Sequence, residues 1–445
     1  MLQSKPLIII GLGKTGLSCV RYLAQQKISL LIMDTRDNPP GLAEFKQEFP
    51  HIPIHLGKLD PGIIAQAAEI IVSPGISLQE PALVFAREQK IPIIGDIELF
   101  ARAAQAPIIA ITGTNAKGTV TTLIGEMINQ AGFTALLGGN IGTPALDLLL
   151  EKIPDFYVLE LSSFQLESTF SLQATAATIL NISEDHLDWH GTMAAYIQAK
   201  QRIYQHCKIA VWNRDDLVTF PEGVEHYVSF GLSEAEDGEF GLWYVNQQPW
   251  LAYGKQPLLP VTELRIKGRH NWANALAALA FGHALKLPWE PMLQVLRTFK
   301  GLEHRCQWVA EYNQVAWYND SKGTNVGATI AAIEGLGGAI AGKLILIAGG
   351  IGKGADFTVL QPAVAKYART VILIGRDAPL LQQALSPVIT TEIVHDLAEA
   401  VLLAQKAAKA HDIVLLSPAC ASFDMFRDYP HRGEVFKDLV RNLTP

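Results

Sequence analysis

Residues 110–122 read AITGTNAKGTVTT, a turn of small residues between an apolar run and a helical segment. The apolar run from Pro107 to Ile111 predicts a strand, and a helix is expected to begin near Thr119. A strand–turn–helix of this kind directs free backbone N–H groups and the positive end of a helix at one point, which suits a phosphate. Lys117 adds a positive charge there, and the Thr119 hydroxyl is a candidate magnesium ligand. The stretch therefore predicts a protein that uses a nucleoside triphosphate.

This loop departs from the common phosphate-loop pattern. That pattern has Gly six residues before the Lys, Gly just before it and Ser or Thr just after it. Ile111, Ala116 and Gly118 stand at those positions here, and the shorter pattern Gly-Thr-Asn-x-Lys-x-Thr fits better. A structural turn with a surface lysine is the alternative interpretation.

Composition limits the protein class. A chain of 445 residues is long enough for roughly three domains. The net charge of −7, without a dense Lys/Arg block, argues against a nucleic-acid groove. We expect no membrane span, and MLQSKPLIIIGLG predicts a first strand, not a signal peptide. Four scattered cysteines predict reduced thiols in a cytoplasmic protein: Cys19, Cys207, Cys306 and Cys420.

The N-terminus has the pattern of a doubly wound α/β domain. An apolar strand at Leu7–Ile10 precedes GLGKTG at residues 11–16, and a second strand ends on Asp34. On spacing alone this resembles a dinucleotide fingerprint, in which an acid takes the ribose hydroxyls. NAD(P), another diphosphate ligand and a purely structural turn remain open at this point.

Strands and helices alternate along the rest of the chain. The pattern predicts an α/β protein of three domains with mostly parallel sheets. Residues 1–95 are expected to form a Rossmann-like domain, residues 96–300 a central P-loop-type ATPase domain, and residues 301–445 a Rossmann-like α/β domain. Residues 224–265 predict a small β-rich insertion in the central domain.

Polar side chains follow several of the predicted strands. Glu160 ends a strand beside the phosphate loop, where a magnesium ligand is expected. A lone histidine such as His186 is more often a simple polar contact, and a helical lysine such as Lys200 is usually solvated. NDSKGTN at 319–325 and GGIGK at 349–353 also follow strands, where α/β folds place ligands. Nothing near Cys420 marks a reactive thiol, so we interpret it as structural.

Eight ordered motifs resemble those of the Mur ligase family: GTNAKGT, LELSSFQLE, NISEDHLD, GRHNWANALAA, GLEHRCQ, NDSKGTN, GGIGKGADF and LSPACASFDMF. The resemblance covers essentially the whole chain. It implies an ATP-dependent amide ligase of peptidoglycan synthesis that joins D-glutamate to UDP-N-acetylmuramoyl-L-alanine through an acyl phosphate. It also redirects the N-terminal fingerprint from NAD to uridine diphosphate.

The resemblance implies a role for particular residues. The catalytic residues that it implies are Lys117, Glu160, His186 and Lys200. The magnesium ligands that the resemblance implies, for two ions, are Thr119, Glu160, His186 and Lys200, with Lys200 carbamylated. Its ATP site is Gly113, Thr114, Asn115, Ala116, Lys117, Gly118, Thr119, Asn271, Arg305, Asp320 and Lys322. Its nucleotide-sugar site is Gly11, Gly13, Lys14, Thr15, Gly16, Thr35, Arg36, Ser73, Pro74, Gly75, Asn140 and Gln165. Its D-glutamate site is Thr324, Lys353, Ser422 and Tyr429.

Three alternatives remain open from the sequence. An NAD(P) dehydrogenase would explain residues 7–34 but leave the Lys117 loop unused. A sibling ligase would add another amino acid, or glutamate to folate. A non-catalytic binding protein is suggested by Ala116 and Gly118, which replace residues common in the family; Tyr429 likewise stands where Phe is common. We further expect a cytoplasmic monomer without a nucleic-acid partner.

Overall fold

A computed structural model describes residues 5–266, 268–338 and 340–443 of the chain. Its strands form three sheets of five, nine and six strands, and the predicted three-domain α/β class is confirmed. Residue contacts group the chain into two compact units. The first contains the residues up to Asn181, Ala194–Phe230 and Ala277–Val295, and the second contains Ile182–Met193, Gly231–Leu276 and the residues from Leu296 on. The domain boundaries at residues 95 and 300 stay a prediction.

The first unit opens with a five-stranded parallel sheet. Its elements are β1 (Leu7–Ile10), α1 (Lys14–Gln25), β2 (Leu30–Asp34), α2 (Leu42–Glu48), β3 (Ile54–Leu56), α3 (Pro61–Ile64), β4 (Glu69–Val72), α4 (Pro81–Glu88), β5 (Ile93–Gly95) and α5 (Asp96–Ala103). The strand order is β3–β2–β1–β4–β5. Ile8, Ile9 and Ile10 are all inaccessible to solvent, as expected for a parallel sheet buried on both faces.

A second, mostly parallel sheet surrounds the phosphate loop in the chain, with β6 before the loop and the other strands after it. The elements are β6 (Ile108–Thr112), α6 (Lys117–Gln130), β7 (Ala135–Gly139), α7 (Ala145–Leu148), β8 (Phe156–Glu160), α8 (Ser163–Glu167), β9 (Ala176–Ile179), α9 (Leu187–His190), α10 (Met193–Gln201), β10 (Ile209–Asn213) and β11 (Tyr227–Glu234). Its parallel strands pair in the order β7–β8–β6–β9–β10, with residues 227–230 of β11 beside β10. The loops after β6, β8 and β9 therefore leave the same edge of the sheet.

The predicted β-rich insertion at 224–265 is present. After β11 it continues with β12 (Phe240–Val245), β13 (Gln248–Tyr253) and β14 (Gln256–Pro260), and α11 (Arg269–Ala284) and α12 (Trp289–Thr298) follow. Strand β13 pairs antiparallel with β12 and β14. Asn246 (φ +49°) and Gln247 (φ +63°) join β12 to β13 in the left-handed conformation that two-residue hairpin turns favour.

The second unit ends in a six-stranded sheet. The elements are β15 (Gln307–Tyr312), β16 (Val315–Asn319), α13 (Val326–Gly337), β17 (Leu344–Gly349), α14 (Gln361–Tyr367), β18 (Ala368–Ile374), α15 (Ala378–Leu385), β19 (Thr391–Ile393), α16 (Leu397–Ala407), β20 (Ile413–Leu416) and α17 (Tyr429–Arg441). The order is β15–β16–β20–β17–β18–β19, and of these strands only β15 runs antiparallel to its neighbour. Leu344 and Leu346 enter one apolar core, while Ile345 and Ile347 enter another, so this sheet is covered on both faces.

The helix after the phosphate loop begins earlier than the sequence predicts. Helix α6 begins at Lys117, two residues before Thr119, because the turn is completed by Ala116 in a left-handed conformation with φ +65°. Among the described residues, no helix is both long enough and apolar enough to cross a bilayer.

Candidate active site

The phosphate loop lies between β6 and α6, where the sequence predicts it. Lys117 folds back over the loop, and its Nζ donates to the carbonyls of Gly113 (2.9 Å) and Thr114 (3.0 Å). Thr119 lies in the first turn of α6 and is buried. The loop thus offers a helix N-terminus, an ammonium and a hydroxyl at one place, a combination that suits a phosphate group and its cation.

Two residues that sequence reasoning missed brace this loop. Asn181 Oδ1 accepts from the Asn115 N–H (2.8 Å), and Asn181 Nδ2 donates to the Asn115 carbonyl (3.2 Å). The Thr114 N–H donates to the Asn181 carbonyl (2.9 Å), and Thr114 Oγ1 lies 3.1 Å from Tyr196 Oη. The position of Asn181, just after β9, was the available clue, because parallel strands place their carboxyl ends together.

Glu160 ends β8 opposite Ile111 of β6, so its carboxylate lies beside the start of the phosphate loop. Glu160 Oε1 accepts from Asn140 Nδ2 at 2.8 Å. Glu160 Oε2 is buried and has no hydrogen-bond partner among the described residues. A buried carboxylate oxygen without a donor is costly, and oxygen is the ligand that Mg²⁺ prefers. The Glu160 carboxylate therefore fits a divalent cation.

Lys200 is buried in α10 and is not the solvated lysine that a helical position usually implies. Its Nζ donates to the Gly113 carbonyl (2.9 Å) and lies 3.3 Å from Thr112 Oγ1. The Tyr196 ring centroid is 4.8 Å from the same nitrogen. The unmodified amine is thus held against the phosphate loop, and its conversion to an anion would make it a cation ligand.

The predicted nucleotide-sugar residues form a cleft of about 590 Å³ within the first unit. This volume lies in the range of small-molecule sites, about 300–1,000 Å³. The predicted residues in its lining are Gly11, Gly13, Lys14, Thr15, Thr35, Arg36, Ser73, Pro74, Gly75, Asn140 and Gln165. Lys14 Nζ spans part of it and donates to the Gly142 carbonyl at 2.6 Å. The loops after β1, β2, β4 and β7 therefore meet in one site.

Gly16, which the resemblance places in this site, does not line the cleft. A Cβ at Gly16 would lie 1.8 Å from the Gly11 carbonyl oxygen, so Gly16 lets α1 pack directly on the turn. Gly11 itself has φ +96°, and its carbonyl accepts from Ser73 Oγ at 2.9 Å. The glycines thus shape the turn by close backbone contact.

Asp34 is not available to bind a ribose, contrary to the dinucleotide interpretation. Its carboxylate is fully buried, and Oδ2 accepts from the Leu12 N–H at 2.7 Å. Arg36 donates through Nε to Asp34 Oδ1 (2.8 Å) and through Nη2 to Oδ2 (2.7 Å). Burial raises the pKa of Asp34, but these hydrogen bonds outweigh it and leave the pKa below its ordinary value. Asp34 instead orients Arg36 at the cleft.

In the second unit, His186 and Lys353 meet at Asp185, which sequence reasoning missed. Lys353 Nζ lies 2.5 Å from Asp185 Oδ1, and Asn325 Nδ2 donates to Asp185 Oδ2 at 3.2 Å. His186 precedes α9 with φ +54°, and its Nε2 is 3.5 Å from Asp185 Oδ2. Burial raises the pKa of Asp185, but the charges of Lys353 and His186 and the hydrogen bonds from Lys353 and Asn325 together outweigh it, so the pKa is lowered. In the sequence Asp185 directly precedes His186, a predicted site residue, and that was the available clue to it.

NDSKGTN forms a tightly bonded loop after β16. Asp320 Oδ2 accepts from Ser417 Oγ (2.7 Å), and Oδ1 accepts from the Cys306 N–H (3.1 Å). Burial raises the pKa of Asp320 to about 6. The nearby charge of Arg305 acts in the opposite direction. Three residues that are predicted to contact ATP thus lie on connected segments of the second unit: Asp320, Lys322 in the same loop, and Arg305.

Tyr429 contributes its ring to the same region. The Lys322 ammonium lies 3.9 Å from the Tyr429 ring centroid, a cation–π contact. Thr324 follows in the same loop and donates its N–H to the Lys322 carbonyl at 2.8 Å. Ser422 is buried in the loop after β20. Asn271 lies in α11 and accepts from Asn274 Nδ2 at 3.0 Å.

Arg432 is a further residue that sequence reasoning missed, since an arginine on a helix suggests a solvated charge. Its side chain is 1% exposed, and Nη2 donates to the carbonyls of Ser321 (2.8 Å) and Cys420 (3.3 Å). Burial lowers the pKa of Arg432 to about 10. Arg432 therefore joins the loops that carry Lys322 and Ser422.

Cys420 is structural, as the sequence predicts. Burial raises the pKa of its thiol to about 12, so the thiolate needed for nucleophilic attack is scarce at neutral pH.

One side-chain group resembles a metal site, but its chemistry does not fit. Ligand atoms of Glu303, His304 and Glu434 lie within 4.8 Å of one another. Lys437 Nζ already occupies the position of a cation, 2.8 Å from Glu434 Oε1. His304 Nδ1 lies 3.0 Å from Asn319 Nδ2, which assigns the ring hydrogen to the Nε2 that faces Glu434.

Models of protein families match most of the chain. Residues 5–95 match "Mur ligase MurD-like, N-terminal domain", residues 111–282 match "Mur ligase middle domain", and residues 304–420 match "Mur ligase, glutamate ligase domain". A protein of Legionella pneumophila named UDP-N-acetylmuramoylalanine--D-glutamate ligase is 51% identical over 98% of this chain and 99% of its own length. A protein of that name from Pseudomonas aeruginosa is 52% identical over 98% of both chains.

Solved structures with little sequence identity share the fold. UDP-N-acetylmuramate-alanine ligase MurC of Thermotoga maritima has a TM-score of 0.61 at 17% identity, and 98% of this chain and 99% of that chain are covered. MurF of Acinetobacter baumannii has a TM-score of 0.62 at 17% identity, with 99% of this chain and 92% of that chain covered.

Proposed function

Because this chain belongs to the Mur ligase family, we propose that it is an ATP-dependent ligase joining D-glutamate to UDP-N-acetylmuramoyl-L-alanine in peptidoglycan synthesis. The observation that carries the proposal is 51% identity, over 98% of this chain, with relatives of that name. A dehydrogenase is disfavoured because the buried Asp34 carboxylate is already bonded to Leu12 and Arg36. ATP, D-glutamate and the nucleotide sugar are therefore its proposed ligands.

The proposed reaction activates a carboxylate that is otherwise a poor acylating group. A carboxylate oxygen of the L-alanyl group attacks the γ-phosphorus of ATP, and ADP leaves with the electrons of the broken P–O bond. The amine of D-glutamate then attacks the acyl carbon, phosphate leaves, and the amine gives up its proton. Such phosphoryl transfer depends mainly on positioning and charge neutralisation.

The first unit supplies residues for the phosphoryl step. The N–H groups of the phosphate loop and the Lys117 ammonium bind and neutralise the triphosphate in this proposal. The cleft lined by Lys14, Arg36 and Gln165 holds the nucleotide sugar. The support is that loop and cleft both lie at the carboxyl ends of parallel strands, where α/β folds bind ligands.

The second unit supplies the proposed D-glutamate contacts and further ATP contacts. Lys353 binds a carboxylate of D-glutamate, and Thr324, Ser422 and Tyr429 complete that site. Asp185 keeps the Lys353 side chain in place through their ion pair. Asn271, Arg305, Asp320 and Lys322 contact ATP.

Mg²⁺ is proposed as a second cofactor. Thr119, Glu160, His186 and Lys200 would hold two ions, which supply charge neutralisation when bound. The support is the buried Glu160 Oε2, which has no hydrogen-bond donor among the described residues. Lys200 fits this role only as a carbamate: its neutral Nζ forms a bond to the carbon of CO₂, a proton is released, and the product is an anion.

The decisive assay measures phosphate release from ATP with UDP-N-acetylmuramoyl-L-alanine and a panel of amino acids. We expect turnover with D-glutamate and little with L-glutamate, D-alanine or diaminopimelate, while the absorbance of added NADH stays constant. Faster turnover with another amino acid would assign a sibling ligase. Nucleotide binding without turnover would favour a binding protein. A monomeric, cytoplasmic enzyme remains our prediction.

A further inference from the structure

Asp96 is a buried carboxylate that the proposed mechanism does not use. It begins α5 directly after β5, and its side chain is 2% exposed. Within the described chain, no ion pair joins it to a lysine, arginine or histidine. Burial raises the pKa of Asp96 to about 6, although neighbouring hydrogen-bond donors act in the opposite direction. A buried carboxyl without a cation is expensive to keep, so a role is expected for it.

The hydrogen bonds of Asp96 lead to the cleft. Asp96 Oδ2 accepts from Gln165 Nε2 at 3.0 Å, and Gln165 lines the nucleotide-sugar cleft. The other end of the amide is also fixed, because Gln165 Oε1 accepts from the Ser162 N–H (3.1 Å) and lies 3.2 Å from Ser162 Oγ. An amide NH₂ group has two N–H bonds, and Asp96 takes one of them. The second N–H remains for a ligand.

The backbone around Asp96 leaves it little room to move. The Gly95 N–H donates to the Ser168 carbonyl at 2.9 Å. A Cβ at Gly95 would lie 2.2 Å from Ser168 Oγ. The start of α5 is therefore packed against the end of α8, and the Asp96 carboxylate stays opposite Gln165.

We propose that Asp96 is a positioning residue for the nucleotide sugar: it fixes the Gln165 amide so that the free N–H is offered to an acyl or hydroxyl oxygen of that substrate. The proposal rests on the proposed function, since it deepens the nucleotide-sugar site. Without the Asp96 acceptor, only the contacts of Gln165 Oε1 with Ser162 hold the amide, and its N–H is no longer directed firmly at the ligand.

The test uses two variants at this position in the full chain. Asp96→Ala removes the acceptor, whereas Asp96→Asn keeps an oxygen of the same size at the same place. We expect Asp96→Ala to raise the Kd for UDP-N-acetylmuramoyl-L-alanine, measured by calorimetry without ATP, by about three- to tenfold, the value of one hydrogen bond. Its KM for that substrate should rise similarly, with kcat and the KM for ATP little changed. Asp96→Asn should restore most of the affinity.

Glu98 provides the matched control on the same helix. It is equally buried, but its carboxylate accepts from Ser171 Oγ and from the Phe170 N–H instead of from Gln165. Glu98→Gln should therefore leave the Kd for the nucleotide sugar unchanged, even where it lowers the melting temperature. If Asp96→Ala does not fold, Asp96→Ser replaces it, since a serine hydroxyl is too short to reach Gln165 Nε2.

The outcomes separate the two proposals. If the wild-type protein does not bind the nucleotide sugar, the proposed function fails. If the wild-type protein binds it and folded Asp96→Ala or Asp96→Ser binds it equally well, the role of Asp96 is refuted. An equal loss of affinity in Asp96→Asn and Asp96→Ala would also refute it, because the acceptor would then not be what matters.

Discussion

Ala116 is the residue at which the phosphate loop is most strained. Its φ of +65° lies in the left-handed region, which costs a non-glycine residue roughly 1–2 kcal/mol. We predict that Ala116→Gly raises the free energy of unfolding by about 0.5–1 kcal/mol, measured by urea denaturation. Ala131→Gly at the other end of α6, where φ is −78°, is the control and should not stabilise. Equal effects of the two changes would contradict the strain at Ala116.

Lys117 is predicted to act on the triphosphate and not on the fold. Lys117→Ala should lower phosphate release by about 100-fold or more, because a preorganised positive charge is lost. Its melting temperature should stay close to that of the wild type. Lys366→Ala, on an exposed part of α14, is the control and should keep full activity. Near-normal turnover of Lys117→Ala would contradict the role of Lys117.

Lys200 is predicted to work as a carbamate. Lys200→Ala should lose activity, and added bicarbonate or a short carboxylic acid should restore part of it by supplying an anion in the space left. Tyr196→Phe, which removes the hydroxyl next to Thr114 but leaves Lys200 in place, should not respond to these additives. Activity of Lys200→Ala that no acid restores would count against the carbamate.

Residues differ in how far the sequence alone could reveal them. Lys117 and Glu160 were predictable from local patterns, because Lys117 closes a turn of small residues between a strand and a helix and Glu160 ends a strand. Asn181 and Arg432 were not, because their partners Asn115 and Ser321 are 66 and 111 positions away in the chain. Apart from the position of Asn181 just after β9, nothing local distinguishes these two from ordinary polar residues.

At the scale of elements, Asp412 ties three segments of the last sheet together. Its fully buried carboxylate accepts from Arg369 Nε on β18 (2.8 Å) and from the Lys343 N–H before β17 (2.8 Å). Burial raises its pKa, but these hydrogen bonds outweigh it and leave the pKa lowered. The ionised carboxylate thus stabilises the start of β20.

Asp412→Asn should therefore lower the free energy of unfolding by about 2 kcal/mol at pH 7. A lowered pKa means that this stabilisation is present above the ordinary value of 3.8 and is lost as pH falls through the folded-state pKa. The difference between the wild type and Asp412→Asn, measured by denaturation, should shrink from pH 7 to pH 3. A difference that is constant with pH would contradict it.

The types of the elements were predictable, and their ends were less so. Apolar runs that precede glycine-containing turns predict β1 and β6 well, because buried parallel strands are almost continuously apolar. Helix α6 begins two residues before Thr119, near which the sequence analysis expected its start. The difference arises because Ala116 adopts a conformation that its side chain does not favour. Local backbone strain of this kind cannot be predicted from the pattern of apolar residues.

At the scale of the whole molecule, three successive α/β patterns predict the class, because strand–helix alternation is a property of the complete chain. The cleft residues come from four separate loops and from Gln165 of α8, and only the shared edge of parallel strands indicated that they meet. Their spacing could not exclude a dinucleotide, since Asp34 stands where a ribose ligand would. The contacts of Asp34 in the fold disfavour it, because both carboxylate oxygens already accept hydrogen bonds.

The cleft lies within the first unit, so the nucleotide sugar should bind there in the absence of ATP and D-glutamate. We predict that UDP-N-acetylmuramoyl-L-alanine alone, at about 100 times its Kd, stabilises the protein by about 2.7 kcal/mol. Scanning calorimetry without ATP or D-glutamate measures this as a rise in melting temperature. N-acetylmuramoyl-L-alanine without the nucleotide is the control and should give a much smaller rise. A rise that requires ATP would contradict an independent cleft.

The backbone contact between Gly16 and Gly11 has a consequence for inhibitors. Since any side chain at Gly16 would collide with the Gly11 carbonyl, a single codon change at Gly16 would damage the fold. A compound anchored on the turn would thus face a target with few routes to drug resistance. Compounds that depend on contacts with solvent-facing neighbours such as Lys14 would face more routes to drug resistance.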